Sequence, residues 1–226
     1  MEEKKYAEIK KYKLTVGQRI YVAFKAVIDF FIGLIGLVIC AIPFAIIAIA
    51  IKLDSKGPVF FSHKRIGYNG KEFNCTKFRS MRTDAKHDVA GYQYAEVESY
   101  ITRVGAFLRK TSLDELPQLI SLMTGKMSLV GYRPSQKSEE ELNTTRESFD
   151  LYQIRPGITG WAQVNGRDVL ASHPTLKAQY DGYYMEHISL WLDIKILFMT
   201  FIKVIKRSDI EEGELEDRFK KESKIV

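Results

Sequence analysis

Between Phe30 and Ile51 the chain reads FFIGLIGLVICAIPFAIIAIAI, 22 residues without a charged side chain. As a helix rising about 1.5 Å per residue, this run would extend about 33 Å, the thickness of a bilayer's hydrocarbon core. A spanning helix ordinarily has more Lys and Arg on its cytoplasmic side. Here the twenty residues before the run carry five basic residues (Lys10, Lys11, Lys13, Arg19, Lys25), and the twenty after it also carry five (Lys52, Lys56, Lys64, Arg65, Lys71). Both flanks therefore read as cytoplasmic. Pro43 lies inside the run, where it lacks an N–H to donate and its ring crowds the preceding turn. A break at Pro43 gives halves Phe30 to Ile42 and Pro43 to Ile51, about 20 and 13 Å long, neither of which crosses the core. A re-entrant helix-break-helix fits the charge balance and the proline; a kinked spanning helix is the alternative.

The remainder of the 226 residues is unlike a polytopic membrane protein, with 27% charged residues, 46% hydrophobic residues and a mean hydropathy of -0.16. The net charge of +6 suits an anionic membrane surface or a phosphate-bearing ligand. The cations are dispersed and no nucleic-acid motif appears, so nucleic acid is not expected as a partner. Cys40 and Cys75 form no disulfide framework, and His63, His87, His173 and His187 are scattered without ligand spacing, so zinc is not expected.

Asn69-Gly70, between two segments rich in aromatic and β-branched residues, predicts a β-hairpin. Thr83 to Glu98 is polar and aperiodic and reads as a loop. Ile101, Val104, Phe107 and Leu108 share one helical face, predicting a short amphipathic helix. Near the C-terminus, ISLWLDIKILFMTFIKVIKR is apolar but interrupted by Asp193, Lys195, Lys203 and Lys206, which predicts an interfacial or packed amphipathic helix with Trp191 suited to the headgroup region.

Several segments carry possible chemistry. In Arg109-Lys110-Thr111-Ser112-Leu113-Asp114-Glu115-Leu116-Pro117, Ser112 and Glu115 match a helix capping box. Capping leaves Asp114 unexplained, and Pro117 fits poorly in an early helical turn, so the helix is expected to start later. Adjacent carboxylates beside Arg109 and Lys110 supply an oxygen nucleophile, a metal ligand and phosphate-binding cations, a combination suited to phosphoryl transfer. Lys77-Phe78-Arg79-Ser80-Met81-Arg82 is either an anion-binding edge or a strand edge protected by charge. Arg133, between Gly131-Tyr132 and Pro134, either recognises phosphate or marks a turn. Arg155 to Arg167, RPGITGWAQVNGR, has three glycines, two arginines and a Trp. It could offer backbone N–H groups to a pyrophosphate and a flat face to a base, or form two turns joined by a strand.

In order along the chain, GPVFF, KFRSM, SLDELPQL, MSLVG-x-RP, RPGITGWAQVNGR and SLWLDIKIL resemble the motifs of the bacterial sugar transferases known as monotopic phosphoglycosyl transferases. The match covers roughly Phe24 to Lys206 and is to the small subclass, without the extra membrane helices and N-terminal domain of the large enzymes. The resemblance implies an α+β, helix-dominated monotopic membrane protein: a re-entrant helix-break-helix, a β-hairpin and interfacial amphipathic helices around a compact cytosolic catalytic domain. The expected division is a polar segment (1–23), the re-entrant element (24–52), the catalytic domain (53–207) and a charged tail (208–226).

The implied activity is transfer of a sugar 1-phosphate from a UDP-sugar to undecaprenyl phosphate on the cytoplasmic face of the bacterial inner membrane. That step begins glycan assembly and feeds downstream glycosyltransferases. Asp114 would be the nucleophile and a Mg²⁺ ligand, with Glu115 assisting. Lys77, Arg79, Arg109 and Arg133 would bind anionic substrate groups, and Arg155, Gln163, Asn165 and Arg167 the nucleotide. The chain departs from the family where Gly-Pro-Arg-Pro is replaced by Gly131-Tyr132-Arg133-Pro134. It departs again where Lys25-Ala26 replaces a basic pair ahead of Asp29. The competing reading is a membrane-tethered regulator of glycan assembly that has lost turnover.

Overall fold

The computed structural model describes residues 11–85, 100–166, 170 and 172–206. Helix α1 (Val16–Ile39) and helix α2 (Ala41–Asp54) carry the apolar run. They are separated by Cys40, whose backbone (φ -84, ψ 2) leaves the helical region. The interruption therefore falls three residues before Pro43, which sits in the first turn of α2. The reason is local: Cys40 N–H still donates to Gly36 O (2.9 Å) and Phe44 N–H to Cys40 O (2.8 Å), while Pro43 has no N–H for the carbonyl of Ile39. Helix α1 also begins fourteen residues before Phe30. At 24 residues it is the one helix among those described that is long and apolar enough to cross a membrane by itself. The expectation that both arms are short is corrected on this point. Large apolar side chains on both helices point outward, including Ile20, Phe24, Ile35, Val38, Ile42, Ile46 and Leu53.

The chain divides into two units, and α1 contributes to both. One unit comprises the described parts of Phe30–His63 and Asn74–Thr124. Strands β1 (Phe60–Ile66) and β2 (Glu72–Phe78) pair as the expected hairpin, whose turn places Asn69 (φ 55) and Gly70 (φ 69) in the left-handed region. Helix α3 (Arg103–Thr111) starts at Thr102, whose Oγ1 accepts from Gly105 N–H (3.0 Å). Ile101 lies outside this helix, bridged to Met81, and Phe107 is exposed, so only Val104 and Leu108 of the predicted face turn inward. Ile47 and Ile51 of α2 pack with Phe78 and Leu108, flanked by Phe44, Val59, Val104, Leu113 and Leu116. Helix α4 (Gln118–Met123) lies directly on α1: a Cβ on Gly33 would stand 2.9 Å from Leu119 O and Met123 N. Most of the predicted Thr83 to Glu98 loop lies outside the described residues, although Arg82 N–H donates to Tyr100 O (2.9 Å) across its base.

The other unit contains the described parts of Met1–Asp29, Lys64–Phe73 and Gly125–Val226. Its centre is a parallel pair, β3 (Ser128–Val130) and β4 (Gly157–Thr159), in register Ser128 with Gly157 and Val130 with Thr159. Around it stand α5 (Glu140–Ser148), α6 (Trp161–Gly166), α7 (Pro174–Glu186) and α8 (Leu190–Lys206). Three glycines make the strand crossing possible. A Cβ on Gly157 would lie 2.1 Å from Gly131 N, on Gly160 1.8 Å from Gly131 O, and on Gly131 2.5 Å from Arg155 O.

Buried ion pairs occur in this unit. Arg146 binds Asp181 Oδ2 through Nε (3.0 Å) and NH2 (2.5 Å). Lys25 Nζ donates to Asp193 Oδ2 (2.5 Å), Val130 O (2.7 Å) and Tyr184 OH (2.7 Å), and Tyr21 OH donates to the same Asp193 oxygen (2.7 Å). Asp29 Oδ1 accepts from Leu129 N–H (2.9 Å), fixing α1 to β3. Helix α8 thus turns its charged Asp193 inward and its apolar Trp191, Ile194, Phe198 and Phe201 outward. Gly157→Ala is expected to cost about 1–3 kcal/mol by forcing β3 and β4 apart, measurable as a lower denaturation midpoint of the detergent-solubilised protein.

Candidate functional site

The carboxylate pair occupies a sharp turn. Helix α3 ends at Ser112, a non-glycine residue with φ 57, whose N–H bonds back to Arg109 O. Leu113–Glu115 then forms a single 3-10 turn, and α4 begins only after Pro117. The proline explains the delay, because its missing N–H prevents an unbroken α-helix through 113–118. No capping box forms: the Ser112 side chain makes no cap bond, and the Glu115 carboxylate is held by a lysine instead. Leu113 and Leu116 pack into the core with Ile47 and Ile51, which fixes the two intervening carboxylates in place.

Strand β2 delivers the counter-charge. Lys77 Nζ donates to Glu115 Oε1 (2.6 Å) and stands 3.9 Å from Asp114 Oδ2. Arg109 Nε donates to Ser80 Oγ (2.9 Å), and its charge reaches Asp114. Asp114 is only 9% exposed. Burial pushes its carboxyl above the usual carboxylate range; Lys77 and Arg109 oppose that rise and Glu115 adds to it. The result is a buried carboxyl group 3.9 Å from Lys77 and within reach of the charge of Arg109, the kind of group that chemistry can use as an oxygen nucleophile.

Arg79 is placed differently from its neighbour. It is 5% exposed, and its guanidinium binds the carbonyls of Ser55 (2.8 Å) and Lys56 at the end of α2. Gly57, at φ +127, leaves the space for it, since a Cβ there would meet Arg79 NH1 at 2.5 Å. In the parallel-sheet unit, Arg133 and Arg155 are half-buried. Gly131 N–H donates to Thr159 O and Gly157 N–H to Tyr132 O, both at 2.8 Å, so these amides belong to the strand pairing. Trp161 is 5% exposed, with Tyr183 stacked 5.1 Å from it and Lys195 Nζ 5.2 Å from its ring, which leaves no face for a base. Asn165 is buried and donates to Trp161 O (2.8 Å); Gln163 Nε2 points to Ile158 O (3.4 Å). Arg167 lies outside the described residues.

The site therefore gathers Lys77, Arg109, Asp114 and Glu115. Sequence reasoning missed Ser80, which holds Arg109 and has no distinguishing pattern. It also missed the clasp at Asp193, signalled only by its being the one acid among the charges that interrupt the apolar stretch of α8. Among the described residues no group of three His, Cys, Asp or Glu side chains converges. Two adjacent carboxylates nonetheless match a hard divalent cation that takes one or two protein carboxylates and completes its shell with phosphate oxygens and water.

A folded-state pKa raised by burial means that ionising Asp114 favours the unfolded chain, so its contribution to stability is lost as pH rises through that pKa. Asp114→Asn is accordingly expected to melt roughly 2–4 °C higher than wild type at pH 8. The gap should close below pH about 4, where both chains are neutral at this position; thermal melts across pH in chelator measure it.

Comparison with known proteins places this geometry in context. The UDP-glucose:undecaprenyl-phosphate glucose-1-phosphate transferase of Xanthomonas campestris pv. campestris is 43% identical over 164 residues, 70% of this chain and 34% of that protein. The enzyme of the same name from Escherichia coli (strain K12) is 42% identical over 176 residues, 75% of this chain and 36% of that protein. The UDP-N-acetylgalactosamine-undecaprenyl-phosphate N-acetylgalactosaminephosphotransferase of Aeromonas hydrophila is 40% identical over 162 residues, 70% of this chain and 38% of that protein. The chain thus spans little more than a third of the length of these relatives. Residues 20–207 match the sequence model of the family described as bacterial sugar transferase, and the chain belongs to that family.

Proposed function

We propose that the protein is a phosphoglycosyl transferase that moves a sugar 1-phosphate from a UDP-sugar to undecaprenyl phosphate. The observation that carries this reading is the buried Asp114 carboxylate, 3.9 Å from Lys77 and within reach of the charge of Arg109, on a turn seated against α2. The names of relatives at about 40% identity support the substrate classes.

In the first half-reaction an Asp114 carboxylate oxygen attacks the phosphorus that bears the sugar, and the bond to UMP breaks. UMP leaves with the electron pair, and the sugar phosphate remains on Asp114 as an acyl phosphate. In the second, an oxygen of undecaprenyl phosphate attacks the same phosphorus and the carboxylate departs unchanged. The lipid phosphate is already anionic, so Glu115 need not remove a proton; its pairing with Lys77 instead aims an ammonium at the reacting phosphoryl oxygens. Mg²⁺, held through Asp114, would neutralise charge on those oxygens. Arg109, fixed by Ser80, adds a second positive group.

The membrane element follows from the same reading. An enzyme joining a soluble nucleotide sugar to a lipid phosphate works at the cytoplasmic surface of the inner membrane. Helices α1 and α2, broken at Cys40 and with basic residues on both sides of the uncharged run, enter and leave the same leaflet. The lipid-linked sugar then passes to glycosyltransferases that extend it.

Turnover is tested by UMP release from a panel of UDP-sugars with undecaprenyl phosphate and Mg²⁺. Asp114→Asn is expected to lose roughly 10³-fold or more of the wild-type rate and to leave no radiolabelled sugar phosphate on the protein. Lys77→Met is expected to lose roughly 10²-fold. Wild-type-like turnover by Asp114→Asn removes Asp114 as nucleophile, and absence of UMP from every sugar favours the regulator. Topology is tested by cysteines placed at Gln18 and Lys56 in sealed inverted vesicles. Both should label from the cytoplasmic side, and labelling from opposite faces defeats the re-entrant path.

A further inference from the structure

Lys77 and Ser80 mount the two positive charges that reach Asp114, and only two residues separate them. Lys77 Nζ stands 3.9 Å from Asp114 Oδ2 and bonds Glu115, while Ser80 Oγ accepts from Arg109 Nε (2.9 Å). Between the two mounts the chain is fixed. Phe78 is 1% exposed, and Arg79 N–H donates to Val59 O (2.9 Å). The Arg79 guanidinium reaches the carbonyls of Ser55 (2.8 Å) and Lys56, the residues that follow α2. All of these residues belong to one unit.

Stability alone is a poor reason for Arg79. It is 5% exposed, and among the described residues it pairs with no acid and its Nε finds no hydrogen-bond acceptor. Two carbonyls and the negative end of the α2 dipole replace only part of the water that a buried guanidinium gives up. An apolar side chain of similar length would fill the same space at lower cost. What the guanidinium adds is direction: a planar fork that engages two successive carbonyls fixes the angle of the strand end as well as its distance. Gly57 leaves room for that fork. It takes φ +127, and a Cβ there would stand 2.5 Å from Arg79 NH1. Neither Arg79 nor Gly57 makes a hydrogen bond or ion pair with Asp114 or Glu115.

We propose that Arg79 is a positioning residue: anchored on the carbonyls that follow α2, it holds the strand end from which Lys77 and Ser80 bring both positive charges to Asp114. This rests on the transfer reading above for the reaction that it serves. It gives Arg79 no contact with the substrate, in place of the anion-binding role that the sequence suggests.

Steady-state UMP release and melting curves of the full-length protein in detergent test it. Arg79→Lys keeps the charge but loses the planar fork, and Gly57→Ala puts a Cβ where the guanidinium lies. Each is expected to lose roughly 10- to 100-fold in kcat at unchanged KM for the UDP-sugar. The double variant should lose no more than either alone, because both release the same anchor. A second readout needs no turnover. In the wild type the separate melting shifts of Lys77→Met and Glu115→Gln should sum to more than the shift of the two combined, since both remove one ion pair. In the Arg79→Lys background the shifts should simply add, because Lys77 no longer meets Glu115. Gly57→Ala provides the background if Arg79→Lys does not fold. A raised KM at wild-type kcat assigns Arg79 to substrate binding and overturns the proposal. So does wild-type kcat in a folded Arg79→Lys or Gly57→Ala protein, a multiplicative loss in the double variant, or coupling that survives release of the anchor. If the wild type releases no UMP from any sugar, the transfer reading fails and the melting cycle alone decides: lost coupling supports the anchoring role, and retained coupling overturns it.

Discussion

Four consecutive residues, Lys77 to Ser80, tie the carboxylate turn to α2. Lys77 holds Glu115 and faces Asp114. Phe78 enters the core between Phe44 and Phe60, at 5.0 and 5.4 Å. Arg79 binds the last carbonyls beyond α2, groups a helix end otherwise leaves without partners. Ser80 fixes Arg109 and sits so close to α3 that a Cβ on Gly105 would meet its carbonyl at 2.0 Å. Alternation along β2 is what allows one short stretch to serve the site and the core together. Asp54 completes the join, its carboxylate accepting from Val104 N–H (2.9 Å) at the start of α3. The position of the carboxylates is thereby set by the helix that emerges from the apolar run.

Much of this was legible because it depends on local rules. Asn69-Gly70 needs a turn with positive φ and forms one. Pro117 delays the helix after the carboxylates, as its missing N–H requires. The break in the apolar run follows from Pro43 but falls at Cys40, because the loss is felt at the carbonyl four residues back and the chain adjusts there. What could not be read is which of two chemically sound uses a residue serves. Gly157 stands in a segment that resembles a phosphate cradle in composition, yet its amide is spent on the strand pair. Trp161 offers an aromatic face in sequence and has none left in the fold. Lys77 and Arg79 look equivalent in KFRS; only the path of the strand sends one to the carboxylates and the other to α2.

Buried charge is the least legible part. Arg146 stands in EELNTTRES, a helix with no apolar stripe, and nothing nearby announces that it is fully enclosed. Lys25 and Asp193 are separated by most of the chain and meet only because α1 and α8 both cross the β3 region. Such pairs contribute little net stability, since desolvation cancels most of the attraction, but they penalise wrong arrangements heavily. A misregistered α1 would leave Lys25 and Asp193 each buried without a partner. For helices whose outward faces are apolar and fit many packings about equally well, that penalty supplies a register which hydrophobic contact alone cannot.

Residues 112 to 114 of the carboxylate turn also carry a cost to folding. Ser112 takes a left-handed conformation that a glycine would adopt more easily, and Asp114 is buried at a cost to its ionised form. Neither choice favours folding. Both are tolerated because Leu113 and Leu116 anchor the turn from below and Lys77 and Arg109 partly neutralise it from the side. A carboxylate solvated by water would be more stable and a poorer nucleophile towards an anionic phosphate, since the incoming charge would meet no fixed cations and a full hydration shell. Under the proposed transfer reaction, the cost carried by residues 112 to 114 is what a desolvated nucleophile at Asp114 requires, and the apolar seating of the turn on α2 sustains it.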